Sequence, residues 1–75
     1  MRRLLITGAA GRIGTVMRRR LPHLAETLRL SDVVDLGEAA PNEELVICDL
    51  TDRDAVDALV DGCDGIVHLG GVANE

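Results

Sequence analysis

"ITGAAGRIG", Ile6 to Gly14, decides how this chain folds, because three of its eight glycines fall there at a regular spacing, Gly8, Gly11 and Gly14. The residues before it, Leu4-Leu5-Ile6, form a short continuous apolar run, the pattern of a strand buried on both faces. After it the period changes. Ile13, Val16, Met17 and Leu21 share one face of a helix beginning at Arg12, with Arg18, Arg19 and Arg20 mostly elsewhere on the cylinder. Pro22 ends that helix, since its ring removes a donor and disfavours helix in the residue before it. The arginine triplet is then expected to be solvated, beside the negative end of the helix dipole.

Working outward, Leu28 to Asp32 reads as a second strand. Asp35 to Glu44, with Gly37, Pro41 and Asn42, reads as a loop holding at most one helical turn. Leu45 to Cys48 is a third strand. Thr51 is placed to cap a second helix, with Asp54 as an imperfect capping-box partner. Ala55, Val56, Leu59 and Val60 form its buried face and Gly62 closes it. Gly65 to Leu69 is the fourth strand, followed by Gly70-Gly71. Alternating strands and helices favour a parallel sheet with right-handed crossovers. The expected fold class is α/β, the first half of a Rossmann-type doubly wound sheet in the order 3-2-1-4. Its fourth strand lies at an edge, so residues 1–75 are expected to be the N-terminal part of a larger dinucleotide-binding domain.

Composition narrows the function. The chain is 47% hydrophobic and carries a net charge of −5, with no lysine and no aromatic residue. That hydrophobic content argues against a disordered tail, and the acidic balance gives no basic excess for binding nucleic acid. No apolar run is long enough to cross a bilayer or to act as a secretory signal. Cys48 and Cys63 are therefore expected to be reduced thiols in a cytoplasmic protein. Any mechanism that needs a tyrosine or a lysine cannot be carried by these residues.

The glycines suit a phosphate-binding turn. Gly8 turns the chain off the strand, Gly11 lets backbone approach a pyrophosphate, and Gly14 lets the helix pack closely. Free N–H groups and the positive dipole end near Arg12 and Ile13 would meet the phosphate charge. Asp32, at the end of the second strand, can accept hydrogen bonds from both hydroxyls of an adenosine ribose and would repel a 2′-phosphate. Neighbouring Val33 and Val34 supply no cation to hold one, so NAD is expected over NADP. Asp49 and Leu50 can flank an adenine, the carboxylate toward its amine and the leucine on its ring face. His68 reads as a core or hydrogen-bonded residue and not as a catalyst. Cys48 reads as a buried strand thiol, and Cys63 as a turn residue with no basic neighbour to activate it. The two cysteines and two histidines lack metal-ligand spacing, so no metal site is expected.

With those residues in place, Thr7-Gly8-Ala9-Ala10-Gly11-Arg12-Ile13-Gly14 resembles the T-G-x-x-G-x-x-G pattern of the extended, epimerase-like branch of the short-chain dehydrogenase/reductase superfamily. Within it, Leu28 to Asp32, Pro41 to Glu44, Cys48-Asp49-Leu50 and Cys63 to Gly71 are similar to the bacterial uronate dehydrogenases. The resemblance implies NAD-dependent oxidation of glucuronate or galacturonate at the anomeric carbon, giving the aldaric acid lactone. It implies a cofactor site of Gly8, Gly11, Arg12, Ile13 and Gly14 at the pyrophosphate, Asp32 at the ribose, and Asp49 and Leu50 at adenine. Leu69, Gly70 and Gly71 would pass near the nicotinamide. The sequence departs from the pattern at Arg12, a position often aromatic or polar in relatives, and at Ala73, where a serine close to substrate is usual.

The family's Ser or Thr and its Tyr-x-x-x-Lys pair are expected beyond position 75, so no catalytic residue is assigned here and the 75 residues alone are expected to be inactive. Two other readings remain open at this point. One is a non-catalytic dinucleotide-binding or redox-sensing module; the other is an NAD-dependent nucleotide-sugar epimerase or dehydratase. Homo-oligomerisation is also left open.

Overall fold

The strands form where apolar side chains can be buried on both sides of one sheet. In the computed structural model, which describes residues 1–69, the elements run β1 (Arg3–Thr7), α1 (Arg12–Arg20), β2 (Thr27–Asp32), β3 (Glu43–Ile47), α2 (Arg53–Val60) and β4 (Gly65–His68). All pairings are parallel and the sheet order is β3-β2-β1-β4, as the alternation predicts. β1 pairs Leu4 with Leu28 and Ile6 with Leu30 on one side, and Leu5 with Ile66 on the other.

Two cores result, one on each face. On one face Leu4, Ile6, Leu28 and Leu30 pack with Leu45, Val67 and Met17 of α1, and on the other Leu5 and Cys48 pack with Val46 and with Val56, Leu59 and Val60 of α2. Leu4, Leu5 and Ile6 are at most 3% exposed, which confirms a first strand buried on both faces. Each such side chain contributes about 1.5–3 kcal/mol by leaving water.

The face that α1 presents to the sheet differs from the one its apolar residues suggest. Ile13 and Val16 are 56% and 46% exposed, Leu21 is also exposed, and Met17 alone of that set packs on the core. The cause is Gly14. A Cβ there would lie 2.5 Å from the Ala9 carbonyl oxygen and 2.6 Å from the Ala9 Cα, so helix and turn touch backbone to backbone. That contact turns the stripe Gly14, Met17, Arg18 inward, at the i, i+3, i+4 spacing of one helix face.

Arg18 is therefore not the solvated residue expected. It reaches under the β2–β3 connection, where no helical turn forms, and donates to the carbonyls of Leu36 at 2.9 Å and Glu38 at 3.0 Å and to both oxygens of the Glu43 carboxylate. This also explains why β3 begins at Glu43 rather than Leu45: Glu43 and Glu44 are tolerated in the strand because Arg18 and Arg29 neutralise them at 2.6 Å and 2.9 Å. Arg29 further donates to the Leu59 and Asp61 carbonyls, satisfying the C-terminal end of α2 just before Gly62, whose φ of +79° suits the helix stop.

Candidate functional site: the cleft at the carboxyl ends of β1 and β2

Ligands of open α/β sheets bind outside the carboxyl ends of the strands, where the strand order reverses. Here that point lies between β1 and β4, and the cleft that opens beside it extends over the end of β2. Gly8 adopts φ +69°, a conformation an L side chain rarely accepts, and turns the chain off β1. The turn is tied back by Gly11 N–H donating to the Gly8 carbonyl and Ala9 N–H donating to the Ser31 carbonyl, 3.1 and 3.0 Å.

The two helices begin in opposite ways. Asp52, not the expected Thr51, caps α2, its carboxylate accepting from Ala55 N–H at 3.2 Å. Thr51 is drawn away because both its N–H and its hydroxyl donate to Asp49 Oδ1. At α1 the N-cap is Gly11, which has no side chain to offer, and the first turn contains no acid. Thr15 N–H makes the first helical bond, to the Gly11 carbonyl. The N–H groups of Arg12, Ile13 and Gly14 thus have no acceptor among the described residues, while the helix dipole adds partial positive charge there. An anion can meet that end without displacing a cap.

Asp32 stands beside it, at the end of β2. Its Oδ2 accepts from Ala10 N–H at 3.0 Å and its Oδ1 from Val33 N–H at 2.7 Å. The carboxylate therefore braces the glycine turn, and each oxygen retains a lone pair for an incoming hydroxyl. A cleft of about 250 Å³ opens between these elements. Gly8 and Gly11 line it from the turn, Asp32 from the end of β2 and Val33 just after it, Leu50 from the connection after β3, and Leu69 directly after β4. Thr7 and Ser31 also face it, although neither was anticipated from the sequence. Ser31 is buried, and its hydroxyl has no partner among the described residues; its only sequence signal is its place between Leu30 and Asp32.

Of the residues expected at a cofactor, Gly8, Gly11, Asp32, Leu50 and Leu69 converge on the one cleft. Arg12 and Ile13 lie exposed at the first turn of α1, and Gly14 is buried against Ala9 and does not line it. Asp49 is exposed beyond β3, and its carboxyl is held below the usual carboxylate range by the Thr51 N–H and hydroxyl. Gly70, Gly71 and Ala73 lie outside the described residues. His68 is exposed and hydrogen-bonded, its Nδ1 lying 2.7 Å from the Thr7 hydroxyl, and is not a core residue. Cys48 is buried just past the end of β3, Cys63 is half-buried, and both are free thiols. Among the described residues there is no group of side chains suited to a metal ion, and no helix long and apolar enough to cross a membrane.

A 3-2-1-4 parallel sheet, a glycine turn and an uncapped helix facing an acid on the next strand define the front half of a Rossmann-type fold. The chain belongs to the NAD dependent epimerase/dehydratase family, whose model matches residues 4–75. It is 55% identical over 74 residues to a uronate dehydrogenase of Pseudomonas putida, covering 97% of this chain and 28% of that protein. A crystal structure of an Agrobacterium tumefaciens uronate dehydrogenase mutant complexed with NAD superposes with a TM-score of 0.93 at 63% identity, covering all of this chain and 28% of that one. A glucuronic acid dehydrogenase of Chromohalobacter salexigens superposes at 0.92 with 58% identity, over 99% of this chain and 28% of that one. The chain thus spans little more than a quarter of the length of these relatives.

Proposed function

We propose that these residues form the NAD-binding part of an oxidoreductase that oxidises a uronate at its anomeric carbon. The observation that carries the reading is the uncapped start of α1 set beside Asp32 in one cleft. The first supplies free N–H groups for a pyrophosphate and the second supplies acceptors for ribose hydroxyls. In this reading Arg12, Ile13 and Gly14 hold the pyrophosphate through their N–H groups, with Gly8 and Gly11 keeping the approach clear. Asp32 holds the adenosine ribose and disfavours a 2′-phosphate. Leu50 covers the adenine, and Asp49 meets its amine with Oδ2, since Oδ1 is engaged by Thr51. Leu69, with Gly70 and Gly71, leaves room on the nicotinamide side.

When bound, the dinucleotide supplies a hydride-accepting nicotinamide. These residues fix its position and leave the proton chemistry to others. With no tyrosine and no lysine among the 75 residues, a tyrosine–lysine pair of the superfamily's kind has to come from elsewhere in the whole protein. Orientation alone can still supply roughly 7–11 kcal/mol of barrier reduction in the best-aligned cases. The similarity to uronate dehydrogenases at 55–63% identity supports a uronate as substrate. The free thiols of Cys48 and Cys63 support a cytoplasmic setting.

The test is NADH formation by the whole protein with glucuronate and galacturonate, beside glucose, galactose and a panel of nucleotide-sugars. Uronates alone are expected to respond. Turnover of nucleotide-sugars alone would make it an epimerase or dehydratase, and NAD binding without any turnover would make it a non-catalytic module.

A further inference from the structure

We infer that Arg18 is a positioning residue for the adenosine half of the dinucleotide, acting through the β2–β3 connection that it clamps; this rests on the NAD reading above. The connection leaves β2 at Asp32, passes Val33 in the cleft wall, and reaches β3 at Glu43 without forming any helix or strand. Such a segment has little intrinsic rigidity, because its backbone groups lack a ladder to bind to. Arg18 provides the missing partners. One guanidinium donates to the Leu36 carbonyl at 2.9 Å, to the Glu38 carbonyl at 3.0 Å, and to Glu43 Oε1 and Oε2 at 2.6 and 3.0 Å. Glu43 in turn accepts from Ala40 N–H at 2.9 Å, so the clamp spans residues 36 to 40. Among the described residues, no side chain from outside the connection other than those of Arg18 and Glu43 bonds to residues 35–40.

The pair is well enclosed, with the Arg18 side chain 20% exposed and that of Glu43 5%. Charge-assisted bonds in such a setting are stronger than neutral ones. Arg18 also lies one helical turn after Gly14. The same helix therefore offers its start to the pyrophosphate and holds, by its end, the segment that follows Asp32. Loosening the clamp frees Val33 and the residues that follow it along the adenosine side, while Asp32 stays tied into the sheet by Cys48 N–H at 2.9 Å and the nicotinamide side of the cleft is untouched.

Lysine cannot replace this fork: a single ammonium can keep the ion pair to Glu43 but not both carbonyls in one plane. The experiment compares the whole protein with its R18K and E43Q variants. Binding of AMP and of nicotinamide mononucleotide is measured separately by NMR titration, well below each variant's melting temperature. R18K is expected to weaken AMP about tenfold and leave nicotinamide mononucleotide unchanged. E43Q, which retains both carbonyl bonds, should weaken AMP by a smaller but measurable factor, about two- to threefold. In steady state, R18K should raise KM for NAD with kcat and KM for uronate unchanged. Equal AMP affinity in R18K and the parent, or equal losses for AMP and nicotinamide mononucleotide, would overturn the inference. If R18K does not fold, E43Q decides: a measurable loss for AMP alone upholds it, and unchanged AMP binding overturns it. Failure of the parent itself to bind AMP would remove the NAD reading, and this inference with it.

Discussion

Replacing Gly11 and Gly14 separately by alanine should divide binding from stability. At Gly14 the added Cβ would sit 2.5 Å from the Ala9 oxygen, 2.6 Å from its Cα and 2.8 Å from its carbonyl carbon. All three are backbone atoms, so the helix itself must move away from the turn. Overpacking of this kind costs about 1–3 kcal/mol or more. At Gly11 the Cβ would meet only the Gly8 oxygen, at 3.3 Å, and the backbone angles of −73° and 179° suit any residue. Reduced freedom of the unfolded chain contributes about 0.4–1 kcal/mol toward the alanine variant. The tight oxygen contact and the poorer N-cap take back a few tenths of a kcal/mol or more. The net change in stability should be close to zero. Binding should behave in the opposite sense, because Gly11 lines the cleft, and a methyl added there would narrow the space where a pyrophosphate is proposed to lie. Thermal unfolding and an NADH fluorescence titration are to be run on both variants. Gly14→Ala should lower the melting temperature by several degrees, while Gly11→Ala should leave it nearly unchanged and weaken NADH at least tenfold. Wild-type NADH affinity in Gly11→Ala, or equal melting losses in both variants, would refute the reasoning.

Asp32→Ala should weaken NAD, since it removes both the ribose acceptors and the brace on Ala10 N–H; adding Val33→Arg should then shift preference toward NADP, read as the ratio of the two dissociation constants. Asp52→Ala, which leaves Ala55 N–H without its cap, should cost about 1 kcal/mol in urea unfolding, whereas Thr51→Ala should not remove a cap. The Glu43 carboxyl is held below its ordinary range, chiefly by the hydrogen bond from Arg18. A group whose folded pKa is depressed contributes stability above its unfolded pKa, about 4.3 for glutamate, and loses it as pH falls through the folded value. Urea midpoints measured from about pH 6 down to about pH 3 should therefore fall less steeply in Glu43→Gln than in the parent chain.

The sheet and its order were legible because short apolar runs and one change of period can satisfy only a parallel, alternately wound arrangement. The glycine turn was legible too, since Gly8 and Gly14 sit where backbone geometry permits no side chain. What escaped depends on contacts between distant segments. Arg18 looks like part of a solvated triplet until Gly14 fixes which helix face turns inward. Glu43 and Glu44 look like loop residues until Arg18 and Arg29 are seen to neutralise them. Thr51 and Asp52 are both good caps in isolation, and only the competing bonds to Asp49 select the aspartate. Ser31 enters the cleft from the end of β2, and its place beside Asp32 is the only signal the linear sequence carries for it.

The most direct measurement of the central claim is the electron density of NAD in crystals of the whole protein. The account predicts the pyrophosphate within hydrogen-bonding distance of N–H groups at the start of α1 and both adenosine ribose hydroxyls on the Asp32 carboxylate. A dinucleotide bound elsewhere, or bound in this cleft with Asp32 turned away from the ribose, would contradict it.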